Sequence, residues 1–327
     1  MSTGREQTRI AIGVPTYRGA DRVEQFLTSL TAFTDFARED YKIVVLDDGT
    51  PDPAHAEKLQ TVAKRFSADC LISDKNYGIP HAWNRLTEHF DAEYIFIFND
   101  DIQICHPNWL KTAEYFLSNN ELVGMVGFPL IHINPATKMP RESVDPSKWG
   151  TRPGRVGAAV GCCFGFKQKN WAQIQHIDGS TGFPEYFGSF HEEIDFGFEL
   201  STRGLRSYML HTTPAEHWGS RTFSLNPELA WYQFDDRWIS KADYTRIASQ
   251  CKHTVNFWGG SNGFMHADGR VDRMSYSRIL FLKKWGVPED QIDNPMVWVH
   301  HKYVETLPPV NVKWLDEDLR PQEAMVP

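Results

Sequence analysis

Tyr94-Ile95-Phe96-Ile97-Phe98 runs directly into Asn99-Asp100-Asp101. A strand that is apolar at every position is buried on both faces, as in a sheet covered by helices on each side. Working outward, the same alternation recurs. Arg9–Val14 and Lys42–Leu46 read as short buried strands, Cys70–Ser73 as a third, and Leu122–Phe128 as one beyond. A helix is expected from about Asp21, with Val23, Phe26, Leu27, Leu30 and Phe33 at helical spacing and Asp21 and Glu24 forming a capping box. Asp52 caps a second helix with Pro53 at its first position, and Leu59, Val62, Ala63 and Phe66 give its apolar stripe. Further helices are expected over Pro80–His89 and Pro107–Ser118. Strands separated by single helices imply an α/β fold with a doubly wound, mostly parallel sheet.

Farther along, Ile131–Gly157 is rich in Pro, Lys and Arg and reads as a long loop, the kind that often serves as a lid. Ala158–Phe166 reads as a strand, Phe183–Phe190 as a Gly and aromatic loop, and His191–Arg203 as a helix ended by Gly204. A last short strand follows at Arg206–Leu210. After Ser224 the alternation stops, which divides the chain into 1–224 and a mainly helical extension, 225–327, suited to acceptor binding or oligomerisation.

The chain has 327 residues, 41% hydrophobic and 23% charged, enough for a normal core. A net charge of −8 argues against nonspecific nucleic-acid binding, which needs a basic face. Five cysteines without a CxxC spacing indicate neither a zinc ribbon nor a redox pair. The polar Met1–Arg9 lacks a signal core, and no apolar run approaches the roughly 20 residues of a membrane span. A cytoplasmic protein is expected. The eleven Trp read as core or as sugar-stacking surfaces.

Ligands of such sheets sit at the carboxyl ends of the strands. That rule selects Pro15-Thr16-Tyr17, Asp47-Asp48 and Asn99-Asp100-Asp101. Two carboxylates at a strand end are costly unless solvated or neutralised by a cation. Their hard oxygens suit Mg²⁺ or Mn²⁺, and such an ion would grip a diphosphate. The other reading is a solvated turn. Asp47-Asp48 could accept hydrogen bonds from a base or a ribose, and Asp-Gly is equally a turn signal. His191-Glu192-Glu193-Ile194-Asp195 begins a helix, where carboxylates suit the dipole or supply a general base. His217 could ligate metal and Arg221 could hold phosphate. His253, Lys283 and Lys284 read as acceptor contacts or as plain surface.

In order along the chain stand Val14-Pro15-Thr16-Tyr17-Arg18, Val44-Val45-Leu46-Asp47-Asp48-Gly49-Thr50, Asn76-Tyr77-Gly78 with Asn84, Phe98-Asn99-Asp100-Asp101, Glu192-Glu193-Ile194-Asp195-Phe196 with Arg203-Gly204, and His217. This ensemble, over about residues 8–224, resembles the family 2 glycosyltransferases with the GT-A fold. The resemblance implies a metal-dependent, inverting transfer of a sugar from a nucleoside-diphosphate sugar, with UDP-sugars favoured, to an acceptor hydroxyl on a glycan or another molecule. It implies that Pro15, Thr16, Tyr17, Arg18, Asp47, Asp48, Asn76, Gly78, Asn84, Asn99, Asp100 and Arg221 bind the donor. By the same likeness Asp101, with His217, would hold Mn²⁺ or Mg²⁺. Glu193 takes the position of the base, with Glu192 beside it and a Glu where the family has Asp. A homo-oligomer is compatible with this reading. The competing readings are a nucleotidyltransferase, for which Pro15–Gly19 is a poor phosphate loop, and a non-catalytic nucleotide-sugar-binding module. A dinucleotide oxidoreductase lacks its GxGxxG after the first strand.

Overall fold

A computed structural model describes residues 8–36, 40–134, 136–140, 154–159, 161–219, 227–250, 265, 268–292, 302, 310–315 and 321–326. The first half alternates as expected: β1 (Thr8–Thr16), α1 (Ala20–Ala32), β2 (Tyr41–Asp47), α2 (Pro53–Arg65), β3 (Asp69–Ile72), α3 (Ile79–His89) and β4 (Ala92–Phe98). Then come β5 (Ile102–Ile104), α4 (Trp109–Ser118), β6 (Val123–Gly127), β7 (Leu130–Asn134), β8 (Met139–Pro140) and β9 (Gly154–Val156). The remainder of the main body is β10 (Cys163–Lys167), α5 (Gln168–Trp171), α6 (Glu192–Thr202), β11 (Arg206–Met209) and β12 (Ala215–His217).

The main sheet has eight strands in the order β3-β2-β1-β4-β10-β6-β11-β9. β1 is parallel to both β2 and β4, β2 to β3, and β6 to β11. Alternation along each strand sends side chains to opposite faces. Phe96 and Phe98 of β4 join Ile10, Ile12 and Val14 under α1, α2 and α4. Ile95 and Ile97 join Ala11, Val44 and Phe164 beneath α3 and α6. Each such fully buried side chain contributes about 1.5–3 kcal/mol relative to leaving it in water.

Several expectations are corrected. β10 runs antiparallel to both β4 and β6, and β9 runs antiparallel to β11. Among the described residues no crossover helix leads from β6 to either strand, and a connection without one leaves the direction free. The strand expected over Ala158–Phe166 is confined to β10. The loop expected at Ile131–Gly157 contains most of β7 together with β8 and β9; residues 141–153 lie outside the described ones. β5, β12, β7 and β8 form a second, four-stranded sheet.

The capping box at α1 does not form. The helix begins earlier, at Ala20, behind Gly19, with no side-chain cap. Asp21 and Glu24 instead pair with Lys58 and Arg65 of α2. Asp52 does cap α2, accepting from the Ala54 N–H at 3.0 Å.

The C-terminal residues carry α7 (Lys241–Gln250) and α8 (Arg273–Trp285), but also the strand pairs β13 (Trp231–Gln233) with β14 (Arg270–Asp272) and β15 (Val310–Leu315) with β16 (Pro321–Val326). Helices predominate there among the described residues, as expected, with these two strand pairs beside them. Tyr244, Val271, Tyr276, Phe281 and Trp285 pack with Phe198 of α6 into a third apolar core. Trp285 is part of that core, whereas Trp258 lies outside the described residues. No helix among the described residues is long and apolar enough to cross a membrane.

Candidate active site

The carboxyl ends of β1, β2 and β4 open onto a cleft of about 230 Å³, lined by Pro15, Thr16, Tyr17, Asp48, Asn76, Gly78, Asn99, Asp100, Asp101, Glu192, Glu193 and His217 among others. The Asn99-Asp100-Asp101 triplet turns sharply, and the Ile102 N–H returns to the Asn99 carbonyl at 3.2 Å. The turn and ligand readings of that triplet are thus compatible.

The two aspartates are differently engaged. Asp100 is buried, and its Oδ2 accepts from Thr16 Oγ1 at 2.5 Å and from Arg22 Nη2 at 2.9 Å. Arg22 also donates to the Tyr17 carbonyl at 3.1 Å. Asp100 therefore ties the ends of β1 and β4 to α1. Among the described residues Asp101 has no such Arg or Lys anchor, and its Oδ2 lies 3.4 Å from His217 Nε2. Strand register produces this approach. His217 pairs with Ile102 across β12 and β5, and the Trp218 N–H donates to the Asp101 carbonyl at 2.9 Å.

The remaining donor-site candidates divide. Asp48 lines the cleft, but its two oxygens accept from the backbone N–H groups of Tyr77 and Gly78 at 3.0 and 2.9 Å. Burial raises its carboxyl above the usual range against those two bonds. It holds Asn76 and Gly78 at the rim. Asp47 is fully buried and accepts from Thr50 Oγ1 at 2.6 Å, away from the cleft lining. Arg18 also stands off the lining; its N–H donates to Thr50 Oγ1 and its guanidinium faces Glu228 at 3.5 Å. Asn84 is buried, with its amide engaged by Phe183, Glu185 and the Trp171 indole. It orders the 183–185 turn and does not face the cleft. Arg221 and His253 lie outside the described residues.

The opposite wall comes from the start of α6. Phe190 and His191 both take left-handed backbone, with φ of 69° and 63°, an uncommon state for bulky residues. This sharp entry puts Glu192 and Glu193 at the cleft. Burial pushes the Glu193 carboxyl up to about 7, although backbone N–H groups of Glu193, Gly161 and Ile194 favour its charged form. Glu192 is held well above the ordinary range, first by burial and then by the charge of Glu193, with Arg273 opposing. A carboxyl titrating near 7 suits proton transfer at neutral pH.

Behind these, Asp195 accepts from Lys284 Nζ at 2.7 Å and from the Trp285 indole at 2.9 Å. His176, Asp195 and Glu199 have metal-ligand spacing. The Lys284 ammonium occupies the cation's role there, 2.8 Å from Glu199 and 3.4 Å from His176 Nδ1. Lys284 is thus a link between α8 and α6, and Lys283 reaches the Trp238 carbonyl at 3.5 Å.

Sequence reasoning missed Trp83, Phe190, Leu229 and Arg273, which also line the cleft. It missed His132, whose Nδ1 lies 3.0 Å from His217 Nδ1. Only a residue-by-residue register for β7 and β12 could have found it.

Residues 11–173 match the family model described as Glycosyl transferase family 2. No curated protein matches the chain. Among solved structures, the chain is similar to the 1–349 fragment of S. aureus TarS, with 16% identity, 91% of this chain and 73% of that one covered, and a TM-score of 0.53. It is also similar to the mannosyltransferase PcManGT from Pyrobaculum calidifontis, with 16% identity, coverage of 92% and 76%, and a TM-score of 0.51. At such identity these structures speak for the fold, while the family match speaks for the sequence itself. The chain thus belongs, through residues 11–173, to glycosyl transferase family 2, and its fold is that of the GT-A glycosyltransferases.

Proposed function

We propose that the protein transfers a sugar from a nucleoside-diphosphate sugar to an acceptor hydroxyl, with inversion at the anomeric carbon and with a bound Mn²⁺ or Mg²⁺. One observation carries this reading: Asp101 and Glu193, far apart in sequence, line the same cleft at the carboxyl edge of the sheet. Family membership supports glycosyl transfer, and the P. calidifontis relative is a complex with GDP-Man and Mn²⁺.

The residues fit a divalent cation. Asp101 Oδ2 and His217 Nε2 stand 3.4 Å apart and both line the cleft. An oxygen and an imidazole nitrogen from the protein, with the rest supplied by phosphates and water, is a donor set that Mn²⁺ or Mg²⁺ accepts. Such an ion, when bound, neutralises the negative charge that builds on the departing diphosphate.

The chain's own groups do the rest. Glu193 takes the proton from the acceptor hydroxyl, whose oxygen attacks the anomeric carbon from the face opposite the diphosphate. Glu192, pushed toward its protonated form by burial beside Glu193, offers an O–H to a substrate oxygen. Tyr17, Asn76 and Gly78 form the rim against the nucleoside, with Asp48 bracing that rim from behind. Asp100 and Arg22 keep the ends of β1 and β4 together. Leu229 and Arg273, both beyond residue 224, line the cleft wall, which supports an acceptor-side role for that part of the chain.

The test is a thermal-shift screen of UDP-, GDP- and other nucleotide sugars with and without Mn²⁺, followed by turnover of any that bind. A joint stabilisation by donor and Mn²⁺ is expected. If no nucleoside diphosphate stabilises the protein, the reading fails. Binding without turnover that is indifferent to Glu193→Gln would make it a binding module.

A further inference from the structure

His132 belongs to none of the motifs above, yet it is set against the candidate cation ligand His217. The two residues are direct partners across the parallel pair β7 and β12. Their Nδ1 atoms lie 3.0 Å apart, with ring centroids 5.0 Å apart at 67°, an edge contact and not a stack. His132 is not among the residues lining the cleft. Its relation to the cleft therefore runs through His217.

Two nitrogens at hydrogen-bond distance need one proton between them, and a neutral imidazole carries only one N–H. If that proton sits on His132, His217 accepts at Nδ1 and holds its own proton on Nε2. His217 Nε2 then donates toward Asp101 Oδ2 and has no lone pair for a cation. If the proton sits on His217, its Nδ1–H donates to His132 Nδ1. His217 Nε2 is then a lone pair directed to the side of Asp101. Partners that fix the far nitrogen of a ligating histidine orient its ring and raise its basicity.

We propose that His132 is a positioning residue that accepts the Nδ1–H of His217 and so presents His217 Nε2 to the divalent cation shared with Asp101. This rests on the reading of Asp101 and His217 as cation ligands. Three features fix the geometry: the β7–β12 register, the β12–β5 register, and the Trp218 N–H bond to the Asp101 carbonyl. Small displacements of either strand would separate the two rings.

The experiment measures Mn²⁺ affinity directly, from the electron-spin-resonance signal of free Mn²⁺ in titrations with UDP and with GDP present. His132→Phe keeps the ring volume and removes the acceptor, and a loss of about 10–100-fold in Mn²⁺ affinity is expected. His132→Asn places a carbonyl oxygen where Nδ1 stood, and affinity within about threefold of wild type is expected. In a His217→Ala background, His132→Phe should add no further loss, because the two residues act as one unit.

Wild-type affinity in His132→Phe would overturn the proposal. So would an equal loss in the His217→Ala background, or a loss in His132→Asn as large as in His132→Phe. Absence of Mn²⁺ binding by the wild type would instead sink the cation reading of the site, and this proposal with it.

Discussion

Gly161 lies directly against the Glu193 carboxyl: a Cβ at Gly161 would stand 2.7 Å from Glu193 Cδ and 2.9 Å from its Oε1. The backbone N–H of Gly161 is also one of the groups that favour the charged carboxylate. A residue with a side chain at this position has to displace the base or move the strand entry beside it. Gly161→Ala should leave donor binding nearly unchanged and lower kcat by about 10²-fold, the order expected for misplacing a reacting group. Equal kcat in the variant would show that Glu193 is not held by this contact.

The two glutamates should respond differently to amide substitution. Glu193→Gln removes the base and should reduce kcat by about 10²–10⁴-fold. Burial and the charge of Glu193 push Glu192 toward its protonated form, so Glu192→Gln is the milder change and should cost less than about tenfold by the same comparison. Reversed magnitudes would reassign the base to Glu192.

Activity should rise with pH through about 7, as Glu193 loses its proton. Stability should move the other way. The folded carboxyl titrates near 7 and the unfolded one near 4.5, so folding takes up a proton between these values. Stability falls as pH rises through that window and stays reduced above it. Glu193→Gln should lack this slope and melt higher than wild type at pH 8, with the difference shrinking toward pH 4.5. Melting curves at several pH values check both statements.

Asp100 and Asp101 should separate into a stability residue and a binding residue. The Arg22–Asp100 pair is nearly dry, with side-chain exposures of 9% and 6%. Removing one partner of such a pair costs about 3–5 kcal/mol, so Asp100→Ala should be strongly destabilising. Asp101→Ala should change stability by less than about 1 kcal/mol and abolish Mn²⁺-dependent donor binding. Removal of metal by EDTA from the wild type should reproduce the Asp101→Ala binding defect. Denaturant melts with donor titrations distinguish the two.

Lys284→Met leaves Asp195 without its cation. A loss of about 2–4 kcal/mol is expected, somewhat below the range for fully buried pairs because the Lys284 side chain is 20% exposed. Adding Asp195→Asn to Lys284→Met should recover part of that loss, since no charge then remains to be solvated. Additive losses would mean that the two residues do not act on each other.

Much of the fold was legible because Ile10–Val14, Ile43–Leu46 and Tyr94–Phe98 are apolar runs that lead into Pro15-Thr16, Asp47 and Asn99. That pattern marks both a buried strand and the edge where ligands gather. The parallel direction of β1 to β4 was legible from the helices between them, but the direction of β10 was not. Nothing in Cys163–Lys167 distinguishes an antiparallel neighbour of β4 from a parallel one. The α1 start was legible to within a residue, but its cap was misread because Asp21 and Glu24 carry a capping pattern that equally suits pairing with Lys58 and Arg65. Asn84 illustrates the limit for polar residues. Its side chain suits a ligand and a buried hydrogen-bond hub alike, and only the position of the 183–185 turn decides between them. His132 and Arg273 reach the site region through register and packing, which no local signal records.

The antiparallel insertion of β10 between β4 and β6 also bears on how the chain assembles. β4 is fully apolar from Tyr94 onward, and its open side is covered only when Cys163–Lys167 pairs with it. During synthesis, an aggregation-prone strand edge is therefore left exposed until the chain has grown from Phe98 to beyond residue 163. Slow translation or a truncation inside that interval should send the nascent protein into inclusion bodies, even though every element that precedes the gap is complete.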